Sequence, residues 1–290
     1  MIAPNVYPSF LKWMPGDDEI IVFNNAQKKG RQVIKEADII FCIDFNDLSR
    51  VKLINELVDQ SDAVKVLIDH HPTENYFGDV IFCDTDASST AELIFEFIRI
   101  MGYRNNIDAE TATCIFAGIM TDTGCFSYNS SNPRTYEIIA SLLEYGFNKD
   151  QVYYNVYDNF SGDRMRLLGH ILNDKMEIYE EFHTAALSLT RDEQRMYHFQ
   201  PGDSEGFVNY PLSVKNIKFS AFFIEKEDHV KISFRSKGTF DVNRFARLHF
   251  NGGGHVNASG GESMTTLEAA MSKFRETLEL YKKVLRNETS

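Results

Sequence analysis

Ala63-Val64-Lys65-Val66-Leu67-Ile68-Asp69-His70-His71-Pro72 is the stretch from which the fold can be read. A mostly apolar run leads straight into an acid, two imidazoles and a proline. The run suits an inner strand, and Pro72, lacking an N–H, stops it from continuing as regular strand or helix. Asp38-Ile39-Ile40-Phe41-Cys42-Ile43-Asp44 repeats the design and also ends in an acid, and Val80-Ile81-Phe82-Cys83 is a shorter version. Apolar on both faces, such runs predict strands of a parallel sheet covered by helices. Helical patterns follow over 89–100, 111–120 and 135–143. The alternation predicts an α/β layered domain with ligand groups at the carboxyl ends of its strands.

Further along the pattern changes. Residues 149–175 read as helical without strands. Strands are then expected over 182–189, 207–214, 217–224 and 229–234, a helix over 241–250, a glycine run, and a terminal amphipathic helix over 267–285. The predicted organisation is a parallel-sheet domain over 1–150, a helical connector over 151–180 and a smaller α+β domain over 181–290.

The chain has 290 residues, 42 Asp+Glu against 30 Lys+Arg, a net charge of −12 and 43% hydrophobic residues. That length suffices for two ordinary domains, each with its own core. The acidic surplus argues against coating duplex DNA or an anionic membrane, both of which need broad basic surface. No run approaches the roughly 20 apolar residues that span a bilayer, and Met1-Ile2-Ala3-Pro4-Asn5 does not read as a signal peptide. The four cysteines (Cys42, Cys83, Cys114, Cys125) lack metal-type spacing and read as buried small apolar residues. A soluble cytoplasmic protein is expected.

An isolated Asp-His-His is compatible with a plain polar turn; its company argues for more. Asp44 stands at the end of another predicted strand, and Asp122 lies where the helix Gly118-Ile119-Met120-Thr121-Asp122 runs into a small-residue loop. Parallel strand ends converge on one rim of a sheet, so Asp44, His70 and Asp122 can meet there. Mixed carboxylate and imidazole donors suit Mn²⁺ best, with Mg²⁺, Zn²⁺ or Fe²⁺ as alternatives. Asn251-Gly252-Gly253-Gly254-His255 is a second feature: consecutive glycines can turn backbone N–H groups towards one anion, or can simply form a loop or helix cap. From His229 to His255 five basic residues (Lys231, Arg235, Lys237, Arg244, Arg247) face one acid, Asp241, which favours a phosphate clamp. Phe207 is a candidate stacking platform, with a core role as the bland alternative. Trp13 reads as a packing anchor, and His170, His183, His198, His229 and His249 as structural or surface residues.

Taken in order, these residues resemble the DHH phosphoesterase family, in its branch with a C-terminal DHH-associated domain. Asp44 looks like the family's second motif, Asp69-His70-His71 its third and Asp122 its fourth. Ser88-Ser89-Thr90 resembles the Ser-Ser-Thr segment after the third motif, and Ser233-Phe234-Arg235-Ser236 with Gly252-Gly253-Gly254-His255 matches the associated domain. The resemblance implies a hydrolase of short oligoribonucleotides, pAp or cyclic dinucleotides, holding two Mn²⁺ ions, with Mg²⁺ possible. It implies Asp44, His70 and Asp122 as metal ligands and Asp69 and His71 as catalytic residues. It further implies Arg235, Gly252, Gly253, Gly254, His255, Ser88 and Ser89 as substrate-binding residues, with Arg235 and His255 holding the substrate across a cleft between domains. Partners would be a small nucleotide or short single-stranded RNA or DNA, and family members often dimerise. The family's first motif, His-x-x-x-Asp-x-Asp, has no counterpart; Asp84-Thr85-Asp86 lacks the preceding His and reads as a loop or cap. The resemblance therefore favours a shortened, impaired version of an active enzyme, with apolar sheet surface exposed. The alternatives are a non-catalytic nucleotide-binding protein and a polyphosphatase or pyrophosphatase of the same superfamily.

Overall fold

The computed structural model describes residues 1–73 and 76–287, and the chain divides into two compact units, residues 1–159 and 160–290. The first contains β1 (Ile2–Ala3), β2 (Ile21–Val22), α1 (Gln27–Glu36), β3 (Ile39–Ile43), α2 (Asn55–Asp59), β4 (Val64–Asp69), β5 (Val80–Cys83), α3 (Thr90–Ile100), α4 (Ala109–Asp122), α5 (Pro133–Leu143) and α6 (Lys149–Tyr157). Strands β3, β4 and β5 form a parallel sheet in that order, as the apolar runs predict, and β1 pairs with β2 in a second, two-stranded parallel sheet. On β4 Leu67 and Ile68 are fully buried. One packs with Phe23, Ile34, Cys42 and Val58, the other with Ala87 and Leu93 of α3.

The sheet's outer strand is less covered than an inner parallel strand should be. Ile39, Phe41 and Ile43 of β3 share one face and are 53%, 49% and 43% exposed. Among the cysteines, Cys42 is buried but Cys83, Cys114 and Cys125 are only partly so, which corrects the reading of all four as buried.

The second unit contains α7 (Gly162–Asp174), β6 (Glu177–Tyr179), β7 (Thr184–Leu189), α8 (Arg191–Met196), β8 (Phe219–Glu225), β9 (Val230–Ser236), α9 (Val242–His249), β10 (Gly253–Gly254), β11 (Ala258–Ser263) and α10 (Leu267–Asn287). Its strands form one mixed sheet in the order β10-β11-β9-β8-β7-β6, parallel at β7–β8 and antiparallel elsewhere. The helical stretch expected as a connector is divided, with α6 in the first unit and α7 in the second. Helices α9 and α10 cover a phenylalanine-rich core: Phe219 meets Phe245 edge-on at 5.1 Å and Phe274 at 5.5 Å. Full burial of each such ring contributes about 1.5–3 kcal/mol.

Residues 207–213, expected as a strand, form a 3₁₀ helix. Pro211 sits inside it, and a proline cannot donate to a strand ladder. Phe207 is fully buried, stacked on Phe222 and under the Arg164 guanidinium, so it is a core ring and not a free stacking platform. No described helix is long and apolar enough to cross a membrane.

Candidate metal centre

Three elements carry the acids and histidines to one place in the first unit. Asp44 follows β3, Asp69 ends β4 with His70 and His71 immediately after it, and Asp122 ends α4. His70 Nε2 lies 3.3 Å from Asp122 Oδ2 and 3.9 Å from Asp44 Oδ1, and His71 Nδ1 lies 3.8 Å from Asp44 Oδ1. One donor atom each from Asp44, Asp69 and His71 lie within 4.8 Å of one another.

The backbone around these groups is unusual. Asp44 adopts φ 67°, a left-handed conformation that costs energy in a residue with a Cβ. Its N–H is anchored to Ile68 O at 3.0 Å, tying the end of β3 to β4. After Asp122 the chain turns through further left-handed residues, Gly124, Cys125, Phe126 and Asn129. Asn46, two residues past Asp44 and buried, donates from Nδ2 to His71 O at 3.1 Å and to Pro72 O at 3.3 Å, pinning the turn that carries the histidines.

Hydrogen bonding sets which nitrogen each imidazole offers. His70 Nδ1–H donates to Ala87 O at 3.3 Å, so in the neutral ring Nε2 carries the lone pair, and it faces Asp122 and Asp44. His71 Nδ1–H donates to Asp69 Oδ1 at 2.7 Å, and the His71 backbone N–H reaches the same oxygen at 3.2 Å. Burial works to raise the Asp69 carboxyl, but the hydrogen bonds and charge of His71 outweigh it and hold Asp69 below its ordinary range. Asp122 shifts the other way: desolvation raises it and Asp44 adds to the effect, with His70 opposing.

This donor set fits a divalent cation. An imidazole lone pair and carboxylate oxygens facing one another at 3–4 Å repel unless a proton or a metal lies between them. Asp69 Oδ2 is buried and has no hydrogen-bond partner among the described residues, an expensive state that a cation would relieve. Hard carboxylate oxygens mixed with imidazole suit Mn²⁺ and its neighbours.

Other predicted residues have different surroundings. Ser88 and Ser89 are buried at the start of α3: Ser88 Oγ donates to Glu92 Oε2 at 2.7 Å, and Ser89 Oγ accepts from Glu92 N as the helix cap. Their hydroxyls therefore serve the helix and the Glu92 carboxylate, which also accepts from Thr135 Oγ1 and pairs with Arg134. Thr90, the third member of the run, reaches the site, donating from Oγ1 to Asp44 Oδ1 at 2.8 Å. Sequence reasoning passed over Asn46 and Thr90 as individual residues; their spacing from Asp44 carries no periodic signal. Asp84, part of the Asp-x-Asp decoy, pairs with Arg134 at 2.7 Å and caps the Asp86 N–H, as a loop residue would.

In the second unit Arg235 lies on β9 opposite Ala258 of β11, beside the hairpin that contains His255. The glycine run is not a nest of inward N–H groups. Gly252 N donates to Ala246 O, Gly254 N to Asn243 Oδ1 and His255 N to Ala258 O. Close packing explains the glycines: a Cβ on Gly252 would stand 1.9 Å from Gly260 O, and one on Gly254 2.6 Å from Ala258 O. His170, His183, His198, His229 and His249 each make a polar contact of their own, away from any shared cluster. Trp13 packs into the core of the first unit.

A parallel sheet bearing an Asp-His-His turn with acids at neighbouring element ends, followed by a mixed-sheet unit, defines a class of metal-dependent phosphoesterases. Residues 2–119 match the DHH family, N-terminal domain, and residues 194–285 the DHHA1 domain; the chain belongs to the DHH phosphoesterase family, in its NrnA-like branch. It is similar to the bifunctional oligoribonuclease and PAP phosphatase NrnA of Bacillus subtilis, 29% identical over 77% of this chain and 70% of that protein. It is 30% identical to the probable bifunctional oligoribonuclease and PAP phosphatase NrnA of Streptococcus mutans over 70% of this chain, a match spanning 64% of that protein's length. Among solved structures, an exopolyphosphatase-related protein from Bacteroides fragilis superposes with a TM-score of 0.93 at 46% identity, covering 99% of this chain and 84% of that one.

Proposed function

We propose that this chain is a Mn²⁺-dependent phosphohydrolase of small nucleotides, acting on short oligoribonucleotides, pAp or cyclic dinucleotides. The observation that carries the reading is the gathering of Asp44, Asp69, His70, His71 and Asp122, with no lysine or arginine among them. Residues 1–159 hold 24 of the 42 acids and 12 of the 30 bases, the whole of the −12 charge, whereas residues 160–290 balance at 18 of each. A phosphate approaching three carboxylates meets repulsion unless divalent cations offset it. Bound there, such ions would polarise a phosphoryl oxygen and align the phosphorus for in-line attack.

Asp44, His70 and Asp122 would be the metal ligands, and Asp69 would hold His71 in the tautomer that presents Nε2. His71 would then touch the scissile phosphate or orient the ligands. Arg235, beside the glycine hairpin, and His255 would bind the substrate's other phosphate, in keeping with the NrnA activities of the two bacterial relatives. A second reading, hydrolysis of inorganic polyphosphate or pyrophosphate, draws support from the exopolyphosphatase-related protein at 46% identity.

The test is hydrolysis of pAp and of a 5′-phosphorylated diribonucleotide with Mn²⁺, compared with EDTA and with polyphosphate and pyrophosphate. Metal-dependent release from either nucleotide is expected. Turnover confined to the inorganic substrates supports the second reading, and turnover of none overturns both.

A further inference from the structure

Asp44 combines two features that conflict in a metal ligand. Its side chain is 60% exposed, and its backbone is held at φ 67°. An exposed carboxylate ordinarily samples several rotamers, and fixing one on binding costs free energy. Here one oxygen is already committed: Oδ1 accepts the Thr90 hydroxyl at 2.8 Å. Thr90 is 4% exposed at the first turn of α3, and that helix is capped by Ser89, so the Thr90 hydroxyl is not consumed by the helix end. Its branched Cβ also restricts χ1, which makes it a stiff donor.

We infer that Thr90 is a positioning residue, whose hydroxyl sets the rotamer of Asp44 so that a divalent ion meets a pre-oriented carboxylate. The inference rests on the metal-centre reading proposed above. A carboxylate offers roughly four acceptor positions, of which Thr90 takes one and leaves the rest for an ion. The backbone anchor from Asp44 N to Ile68 O fixes the Cα; Thr90 fixes what lies beyond it. Together they hold a strained residue that a single contact would leave free to relax.

The experiment is Mn²⁺ titration of the full chain followed by electron paramagnetic resonance, with thermal melting of each metal-free protein. Wild type, Thr90→Val and Thr90→Ser are compared, with Thr90→Ala used if the valine variant does not fold. Thr90→Val should weaken Mn²⁺ about tenfold or more, the usual effect of losing a ligand's supporting hydrogen bond, with the metal-free melting temperature little changed. Thr90→Ser, which keeps the hydroxyl, should restore most of the affinity. Equal affinity in Thr90→Val and wild type overturns the positioning role while the metal centre stands, and so does an equal loss in Thr90→Ser. Absence of Mn²⁺ binding by wild type removes both readings together.

Discussion

A single oxygen of Asp69 takes both the ring Nδ1–H and the backbone N–H of His71, at 2.7 and 3.2 Å, so two residues two positions apart in the Asp-His-His run act as a unit. Asp69 is completely buried and yet holds its charge, because His71 outweighs the cost of burial. Replacing the acid with an amide keeps an acceptor but removes the charge that favours the Nδ1–H tautomer. Asp69→Asn is therefore expected to lower kcat for pAp with Mn²⁺ by about 10–100-fold, with a smaller change in KM. Steady-state kinetics would show it, and an unaltered kcat would exclude a role for the pair in turnover.

Glu92 offers a stability test outside the acid–histidine group. Its fully buried carboxylate receives Ser88 N–H and Oγ–H, Thr135 Oγ1–H and the Arg134 guanidinium, tying the starts of α3 and α5 together. Removing one partner of a buried network leaves the others unpaired, so Glu92→Ala should cost about 3 kcal/mol. Urea unfolding measures this; a loss below about 1 kcal/mol, the worth of one ordinary hydrogen bond, would mean that the hub is dispensable.

What could be read in the sequence was what periodicity and run length encode. Strands β3, β4 and β5 are legible because parallel strands are apolar on both faces, and an acid marks the rim just after the first, at Asp44, and at the end of the second, at Asp69. Helices α3, α4 and α5 carry amphipathic spacing. Partners such as Asn46 and Thr90 were not legible, because an amide or hydroxyl that crosses from one segment to another leaves no local pattern. The segment 207–214, rich in the aromatic and branched residues that favour strands, forms a 3₁₀ helix instead because Pro211 has no N–H to give to a ladder. The glycine run at 252–254 is compatible in sequence with an anion nest or a plain loop; in the structure the neighbouring strand β11 approaches so closely that Gly252 and Gly254 have no room for a Cβ.

That packing separates neighbouring glycines. A Cβ at Gly252 would collide with the Gly260 carbonyl, but one at Gly253 would meet Asn243 Oδ1 at 3.5 Å and Arg247 Nε at 3.6 Å, ordinary contact distances. Gly252→Ala should destabilise the protein by about 1–3 kcal/mol, the range for forced overpacking, and Gly253→Ala by much less. Equal losses in thermal denaturation would contradict the hairpin geometry.

Glu193 governs an acid-side dependence in the second unit. It completes a capping box with Thr190 and also pairs with Lys175 and His170. Burial opposes its ionisation, but the Thr190 N–H, Lys175 and His170 prevail and pull its pKa down to about 2. A folded pKa below the unfolded value of about 4.3 means that the stabilisation is complete above that value and is lost as pH falls towards 2. Glu193→Gln should cost about 1–2 kcal/mol at pH 7 after allowance for screening. The gap between variant and wild type should close between pH 5 and pH 2 in urea denaturation. A gap independent of pH would assign the effect to shape and not to charge.

Metal addition should report on the first unit directly. A ligand that binds only the folded chain stabilises it by mass action, about 2.7 kcal/mol at one hundred times its dissociation constant. Mn²⁺ should therefore raise the melting temperature and EDTA reverse the rise, because the cation relieves the buried Asp69 Oδ2 and the opposed His70 and Asp122 groups. His70→Ala together with Asp122→Ala removes two of those donors and should abolish the Mn²⁺ response. Melting of the double variant without metal should shift far less than the Mn²⁺ response it loses, since the part of the stabilisation that depends on the ion is then absent from both proteins. A Mn²⁺ response that survives the double substitution would place the ion elsewhere in the molecule.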